Sequence, residues 1–533
     1  MAHKTLFRSG SRRVSAADTR NRAGGLAYNL PPREALAQVV MTGFLGGTFY
    51  ASAEQELDQL LDLLEAEGVD ATFVGKLAVY ARRNGYMKDA PALLVGALSV
   101  MDESNGKPGI LEAVFPKVID NGKMLSTFVQ ILRSGVLGRR AMSARLKRLV
   151  QGWFDARDDE GVFRASFGQQ PNLADVLRLA HPKPGTDSRR ALFGYISGRN
   201  PEAHAVDQEV LPEIVRQYLA FGESLDVEQM PNLDFRALDR FPLTREHWAR
   251  LAERGNWHWT RMNLNTLLRH GVLADDALTR KLASRLANPE EVRKARAFPY
   301  QLLAAYKHVR HDMPGALMQA LHDAMEVALE NIPKLDGPVY VFPDVSWSMN
   351  HAITGLRTGG TTKMRRVDVA GLIAAALARR NPENVTVWPF NNSVVDVRVE
   401  PRDTVMTTAG RLSDLCGGGT NCSAPLERLN RTRADVAAVV FVSDDESWMD
   451  SHGRTFRRGT GLFEQWCRLR DRCPQAKMVC IDLEPNREVQ APNNAGILNV
   501  GGFSDEVFRV TARMLDGSLT PGHWLGIIEA VEL

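Results

Sequence analysis

Val339-Tyr340-Val341-Phe342-Pro343-Asp344-Val345-Ser346-Trp347-Ser348 carries an apolar run into an acid followed by two hydroxyls at alternate positions. Four apolar residues without polar alternation predict a strand buried on both faces. Pro343 stiffens its end. Downstream, residues 366–380 (RVDVAGLIAAALARR) read as a helix. Val385, Val387, Trp388 and Phe390 predict a second strand. Ala437-Ala438-Val439-Val440-Phe441-Val442 predicts a buried third strand ending at Asp444, and Met478-Val479-Cys480-Ile481 a fourth. Further helices are expected over residues 423–430 and 461–472. Alternating strands and helices imply a parallel, doubly wound sheet covered on both faces. This α/β domain is expected to span residues 336–533, behind the linker Asn331-Ile332-Pro333-Lys334-Leu335-Asp336-Gly337.

In open α/β sheets, ligands sit beyond the carboxyl ends of the strands, at the switch point. Asp344 and Asp444 each follow a strand, Ser346 and Ser348 follow Asp344, and Thr420 lies in the loop Gly417-Gly418-Gly419-Thr420-Asn421. Two carboxylates and three hydroxyls form a hard oxygen set. It suits Mg²⁺, with Mn²⁺ or Ca²⁺ as alternatives. No His or Cys is needed, which argues against zinc. The glycines are expected to let the backbone approach the ion. Asp445 competes with Asp444 as the ligand. The bland alternative is a helix N-cap with spare hydroxyls.

Upstream, from residue 30 to 335, apolar residues recur at helical spacing. Leu57, Leu60, Leu61 and Leu64 form one stripe, Leu125, Phe128, Val129 and Leu132 another, and Leu278, Leu282 and Leu286 a third. Gly68, Gly85, Asn121-Gly122 and Gly271 punctuate them. Short amphipathic helices over some 300 residues suggest stacked helix pairs, without a strict sequence period. Residues 1–22 carry five arginines and read as a flexible basic arm, ahead of a helical domain at 23–335.

The 533 residues exceed one ordinary core. No apolar run reaches the roughly 18 residues of a membrane span. The polar N-terminus lacks the apolar segment of a secretory signal. Five cysteines without a CxxC read as reduced thiols, so a cytoplasmic protein is expected. Net charge is only +3, yet 52 of the 66 cations are Arg, which suits phosphate contact or reflects codon bias. Arg133, Arg139, Arg140, Arg145, Lys147 and Arg148 put six cations into sixteen residues. They are candidates for RNA phosphates, against the alternative of a solvated helix face.

Asp344-x-Ser346-x-Ser348, Thr420 in its glycine loop and Asp444 in Val442-Ser443-Asp444 resemble the metal-ion-dependent adhesion site (MIDAS) of von Willebrand A domains. Ser443 stands where that family more often has Thr. Several phrases also resemble TROVE-domain proteins, the Ro autoantigen family: Met41-Thr42-Gly43-Phe44-Leu45-Gly46-Gly47-Thr48-Phe49-Tyr50, Leu179-Ala180-His181-Pro182-Lys183-Pro184 and Arg296-Ala297-Phe298-Pro299-Tyr300. The resemblance covers nearly the whole chain, and is to the bacterial, Ro-sixty-related type. It implies a ring of HEAT-like helical repeats joined to the metal-binding domain. It further implies Y RNA on the outer ring surface, with His181 and Lys183 in the phrase linked to that binding. Single-stranded ends of misfolded or unprocessed RNAs would enter the central hole. An exoribonuclease such as polynucleotide phosphorylase is the implied partner, and an acidic protein group would complete the metal shell. The expectation is a monomeric, non-enzymatic ribonucleoprotein component acting in RNA quality control. The alternatives are a metal-dependent protein scaffold without RNA, or a metal-dependent nuclease, for which no general base is evident.

Overall fold

Eight strands are described in the computed structural model: β1 (Thr19–Arg20), β2 (Leu26–Asn29), β3 (Val339–Pro343), β4 (Val385–Val387), β5 (Ala438–Ser443), β6 (Lys477–Asp482), β7 (Glu488–Val489) and β8 (Ile497–Gly501). The structure describes all residues except 1–14, 43–51, 105–108, 139, 169–170, 199–207, 296, 298, 333, 354–363, 401, 450–458, 495, 503–505 and 518–522. Five strands form a parallel sheet in the order β4-β3-β5-β6-β8. All residues of β5 and β8 are buried, as are most of β3 and β6, which explains their unbroken apolar runs. Between β3 and β4 the chain steps towards one edge. After β4 it returns to the other side of β3, so the switch point falls between β3 and β5.

The Arg366–Arg380 helix forms where periodicity placed it. The second predicted strand stops at Val387. Pro389 has no N–H to donate, and Phe390 makes only isolated bridges, to Asp344 and to Val394. β8 was not anticipated. Its Ile497-Leu498-Asn499-Val500-Gly501 interrupts the apolar run with Asn499, whose side chain is buried and donates to the Ala491 carbonyl at 2.8 Å.

The compact units do not follow the expected boundary at 335/336. One comprises Met1–Val69, Ala287–His308 and Ala320–Ile528; the other comprises Asp70–Leu286, Val309–Gln319 and Glu529–Leu533. In the first unit β2 pairs with β1 and β7, so Thr19–Arg20 is not the flexible arm expected; Met1–Val14 lie outside the described residues. Gln38, on the Pro32–Thr42 helix, donates to Asn499 of β8 at 3.3 Å. Lys307, on the Pro299–His308 helix, pairs with Asp368 at 2.6 Å. Long-range pairing thus draws upstream segments into the α/β unit, which local periodicity cannot reveal.

The second unit is helical among its described residues. Its helices begin at side-chain caps, among them Asp70, Asn121, Ser143, Asn172, Thr186 and Asn256, each accepting an N–H of the first turn. The Leu125, Phe128, Val129 and Leu132 stripe is buried, as is that of Leu278, Leu282 and Leu286. Chain end Glu529–Leu533 joins this unit: Lys117 Nζ donates to the Glu532 carbonyl at 3.1 Å.

Candidate metal centre

β3 and β5 are adjacent and in register, Pro343 opposite Val442, so the residues that follow each strand emerge side by side. Asp344 N–H donates to the Val442 carbonyl at 2.9 Å. The Asp344 carboxylate is fully buried. Its Oδ1 accepts the Ser346 N–H at 2.8 Å and its Oδ2 the Ser443 hydroxyl at 2.6 Å. The Ser346 and Ser348 hydroxyls stand 3.2 Å apart. The glycine loop closes over this turn: Gly417 N–H donates to Val345 O at 2.7 Å and Trp347 N–H to Gly418 O at 2.9 Å. The Thr420 carbonyl in turn accepts from Trp448 and Met449 N–H groups at 3.3 and 3.2 Å, tying it to the segment after β5. All five predicted residues are buried and brought to one end of the sheet.

Asp444 supplies the test of whether a cation fits. Both its carboxylate oxygens are buried without a hydrogen-bond partner among the described residues. The Ser348 hydroxyl and the Glu446 N–H face it but stand outside hydrogen-bond geometry. An unpartnered buried carboxylate is costly, and a hard cation is its natural complement. Burial pushes the Asp444 acid up, opposed by the Arg366 guanidinium. Asp344 is pushed up to about 7 by burial and then by repulsion from Asp444. These two buried carboxylates, with the hydroxyls of Ser346, Ser348 and Thr420, are oxygen donors of the kind a hard divalent cation takes. Asp445 differs. It has a left-handed backbone (φ 56°), and its Oδ2 accepts the Gln490 N–H at 3.1 Å. Burial pushes its carboxyl up to about 8.

Sequence reading left three contributors without a role. Ser443 orients Asp344. Arg366, 1% exposed, donates to the Ser348 carbonyl at 3.3 Å and pairs with Glu484 at 2.7 Å. No local signal marks Arg366 or Glu484, because their partners are distant in sequence. Protein packing also constrains the glycines. Gly418 is left-handed (φ 84°), and a Cβ on Gly419 would stand 2.5 Å from the Met449 sulfur, so protein packing already demands glycine there. Trp347, between the two serines, is 58% exposed at the rim.

The sequence-predicted RNA residues are dispersed. Arg139 lies outside the described residues. Arg140 and Arg148 are exposed and Lys147 half-buried on or beside the Ala144–Asp155 helix. Arg145 is engaged by Glu112 through two contacts of 2.6 Å, which neutralises its charge locally. His181 is an exposed, left-handed helix cap (φ 51°). Lys183 lines a cavity of about 600 Å³ whose walls include Asp155, Asp158, Glu160 and Glu213, an acidic setting for a phosphate-binding lysine.

A parallel sheet with two carboxylates and a hydroxyl-rich turn at its switch point defines a von Willebrand A-type domain, and residues 339–514 match the model of the Ro60 vWA domain. Over 529 residues the chain is 26% identical to the RNA-binding protein RO60 of Deinococcus radiodurans, covering 93% of this chain and 95% of that one. The crystal structure of the D. radiodurans Ro (RSR) protein superposes with a TM-score of 0.61 at 19% identity, over 92% of this chain and all of the other. The chain is thus similar to Ro60-type proteins over nearly its whole length.

Proposed function

We propose that this protein binds RNA through its helical residues and uses the α/β domain as a metal-dependent dock. The near full-length likeness to a relative named an RNA-binding protein carries this reading. The exposed Arg140 and Arg148 and the half-buried Lys147 supply cations for phosphates. In finer form, small Y-type RNAs bind the outer surface of a helical ring, with His181 and Lys183 contributing. Single-stranded ends of misfolded or precursor RNAs enter its hole, and an exoribonuclease such as polynucleotide phosphorylase acts on what is held. The protein works in the cytoplasm as a monomer. Among the described residues no helix is long and apolar enough to cross a membrane.

At the second site Asp344, Ser346, Ser348, Thr420 and Asp444 hold Mg²⁺, with Mn²⁺ or Ca²⁺ able to substitute. The ion supplies a Lewis-acidic position for a partner's carboxylate, and the exposed Trp347 offers that partner an apolar contact. The hydroxyl-rich donor set favours adhesion over hydrolysis. Binding of a labelled hairpin RNA with a single-stranded tail tests the first part: no binding at low salt sinks it. Incubation of the same RNA with Mg²⁺ tests the second. Cleavage by the wild type that is absent from Asp344→Ala would show an enzyme instead.

A further inference from the structure

The three residues after Asp444 are held by chain from the far end of the sequence. Asp445 has a left-handed backbone (φ 56°), which a residue other than glycine keeps only where its surroundings impose it. Gln490 supplies part of that restraint: its N–H donates to Asp445 Oδ2 at 3.1 Å and its side-chain amide to the Asp445 carbonyl at 3.2 Å. Glu446, 1% exposed, accepts the Ala23 N–H at 2.9 Å and the Asn486 side-chain amide at 2.8 Å. The Ser447 carbonyl accepts the Asn21 side-chain amide at 2.8 Å. On its other side, the Ser447 hydroxyl accepts the N–H of Cys422, two residues beyond Thr420, at 3.1 Å.

Asn21 and Ala23 lie in the turn that joins β1 to β2. That turn closes on itself: the Asn21 N–H donates to the Gly25 carbonyl at 3.0 Å, and the Gly25 N–H to Asn21 Oδ1 at 2.7 Å. A Cβ on Gly25 would stand 2.0 Å from the Ser447 carbonyl oxygen, so only glycine lets the turn approach this closely. β2 is anchored on β7, Tyr28 opposite Val489, and Gln490 directly follows β7. The holds on residues 445–447 by Asn21, Ala23 and Gln490 thus come from one small sheet, β1-β2-β7, separate from the parallel sheet that carries Asp344. The outside of the turn is open to solvent at Arg20 and Gly24. Asp444 makes this arrangement matter. Its carboxylate oxygens have no hydrogen-bond partner among the described residues, so the backbone on either side must aim it. Before it, the register of β5 with β3 fixes Ser443. After it, the hairpin and Gln490 fix residues 445–447.

We propose that the Asn21–Gly25 turn is a positioning clamp on the metal site: metal affinity depends on the β1–β2 hairpin, and the bound ion in turn tightens the hairpin. The proposal rests on the metal reading above and adds to it a control element from the N-terminal chain. Such coupling is reciprocal, so it can be read from both ends. Titration calorimetry of the full chain with Mg²⁺ alone reads the first. Asn21→Ala removes the bond to Ser447 and should weaken Mg²⁺ binding about tenfold, the lower end of what outer-layer contacts contribute. Gly25→Ala, whose Cβ displaces the turn, should weaken it at least as much. Tyr28→Phe is the control. It cuts the hairpin's bond to the Ser15 carbonyl at 2.9 Å without touching residues 445–447, and should lower the melting temperature alone. Amide exchange of the wild type reads the other end and needs no variant. In Mg²⁺ rather than chelator, the Ala23 and Gly25 N–H groups should slow more than the Leu30 N–H, which bonds the Arg487 carbonyl at 2.7 Å. Asp444→Asn should erase that difference. Wild-type Mg²⁺ affinity in Asn21→Ala and Gly25→Ala, or equal slowing of all three amides, would overturn the clamp and leave the metal site standing. A loss in Tyr28→Phe equal to that in Asn21→Ala would also overturn it, by tracing the effect to fold. Failure of the wild type to bind Mg²⁺ would overturn both readings.

Discussion

Ser443 donates to the Asp344 carboxylate at 2.6 Å and accepts the Asp445 N–H at 3.1 Å, so one hydroxyl fixes the outermost turn of β5 against that of β3. Ser443→Ala should therefore lower Mg²⁺ affinity by about 10–100-fold, as loss of a second-layer hydrogen bond to a ligand does, with titration calorimetry as the readout. Unchanged affinity would mean that Asp344 needs no such orientation. Asp344→Ala removes a proposed ligand outright and should abolish Mg²⁺ binding while leaving RNA affinity near wild type; parallel loss of both would defeat the modular reading. Asp344, Ser346 and Ser348 were legible because they share one turn, and Asp444 because it follows an unmistakable buried strand. Ser443 was seen only as a conservative replacement. Its role depends on the register of β3 with β5, which no local pattern encodes.

At the scale of elements, the helix Arg366–Arg380 is held at its first turn by Asp368, 1% exposed, which pairs with Lys307 at 2.6 Å and Arg365 at 2.9 Å. Burial pushes the Asp368 acid up, but the Arg365 and Lys307 contacts outweigh it and hold the acid below its ordinary range. A carboxylate whose folded pKa is depressed stabilises the fold above its unfolded pKa, near 3.9, and that stabilisation is lost as pH falls through the folded value. Asp368→Asn should accordingly cost about 3–5 kcal/mol at pH 7, because two cations lose their partner. The gap between wild type and variant should close in denaturant melts below about pH 4. A gap independent of pH would assign Asp368 a packing role instead. The helix was legible from periodicity. Its partner Lys307 was not, since a contact across 61 residues leaves no trace in either segment. β8 escaped notice for a related reason: Asn499 breaks its apolar run, and only the fold supplies that side chain with a partner.

For the whole molecule, a single boundary near residue 335 misjudged which segments pack together, because β2 pairs with β7 and the Pro32–Thr42 helix meets β8. The α/β unit therefore draws on chain from both sides of that boundary, and its stability should respond as one to the metal. Without an ion, the buried Asp344 and Asp444 carboxylates repel each other. An ion that binds only the folded state should stabilise it by about 2.7 kcal/mol at 100 times its dissociation constant. Thermal melts of the full chain in chelator and in Mg²⁺ measure this increment. Asp444→Asn keeps the side chain's size and removes the repulsion. Its melting temperature in chelator should equal or exceed that of the wild type, yet Mg²⁺ should no longer raise it. A variant that is less stable in chelator but still gains from Mg²⁺ would place the ion elsewhere. The opposite signs of the two effects separate a metal ligand from an ordinary buried acid, whose replacement would lower stability in both conditions.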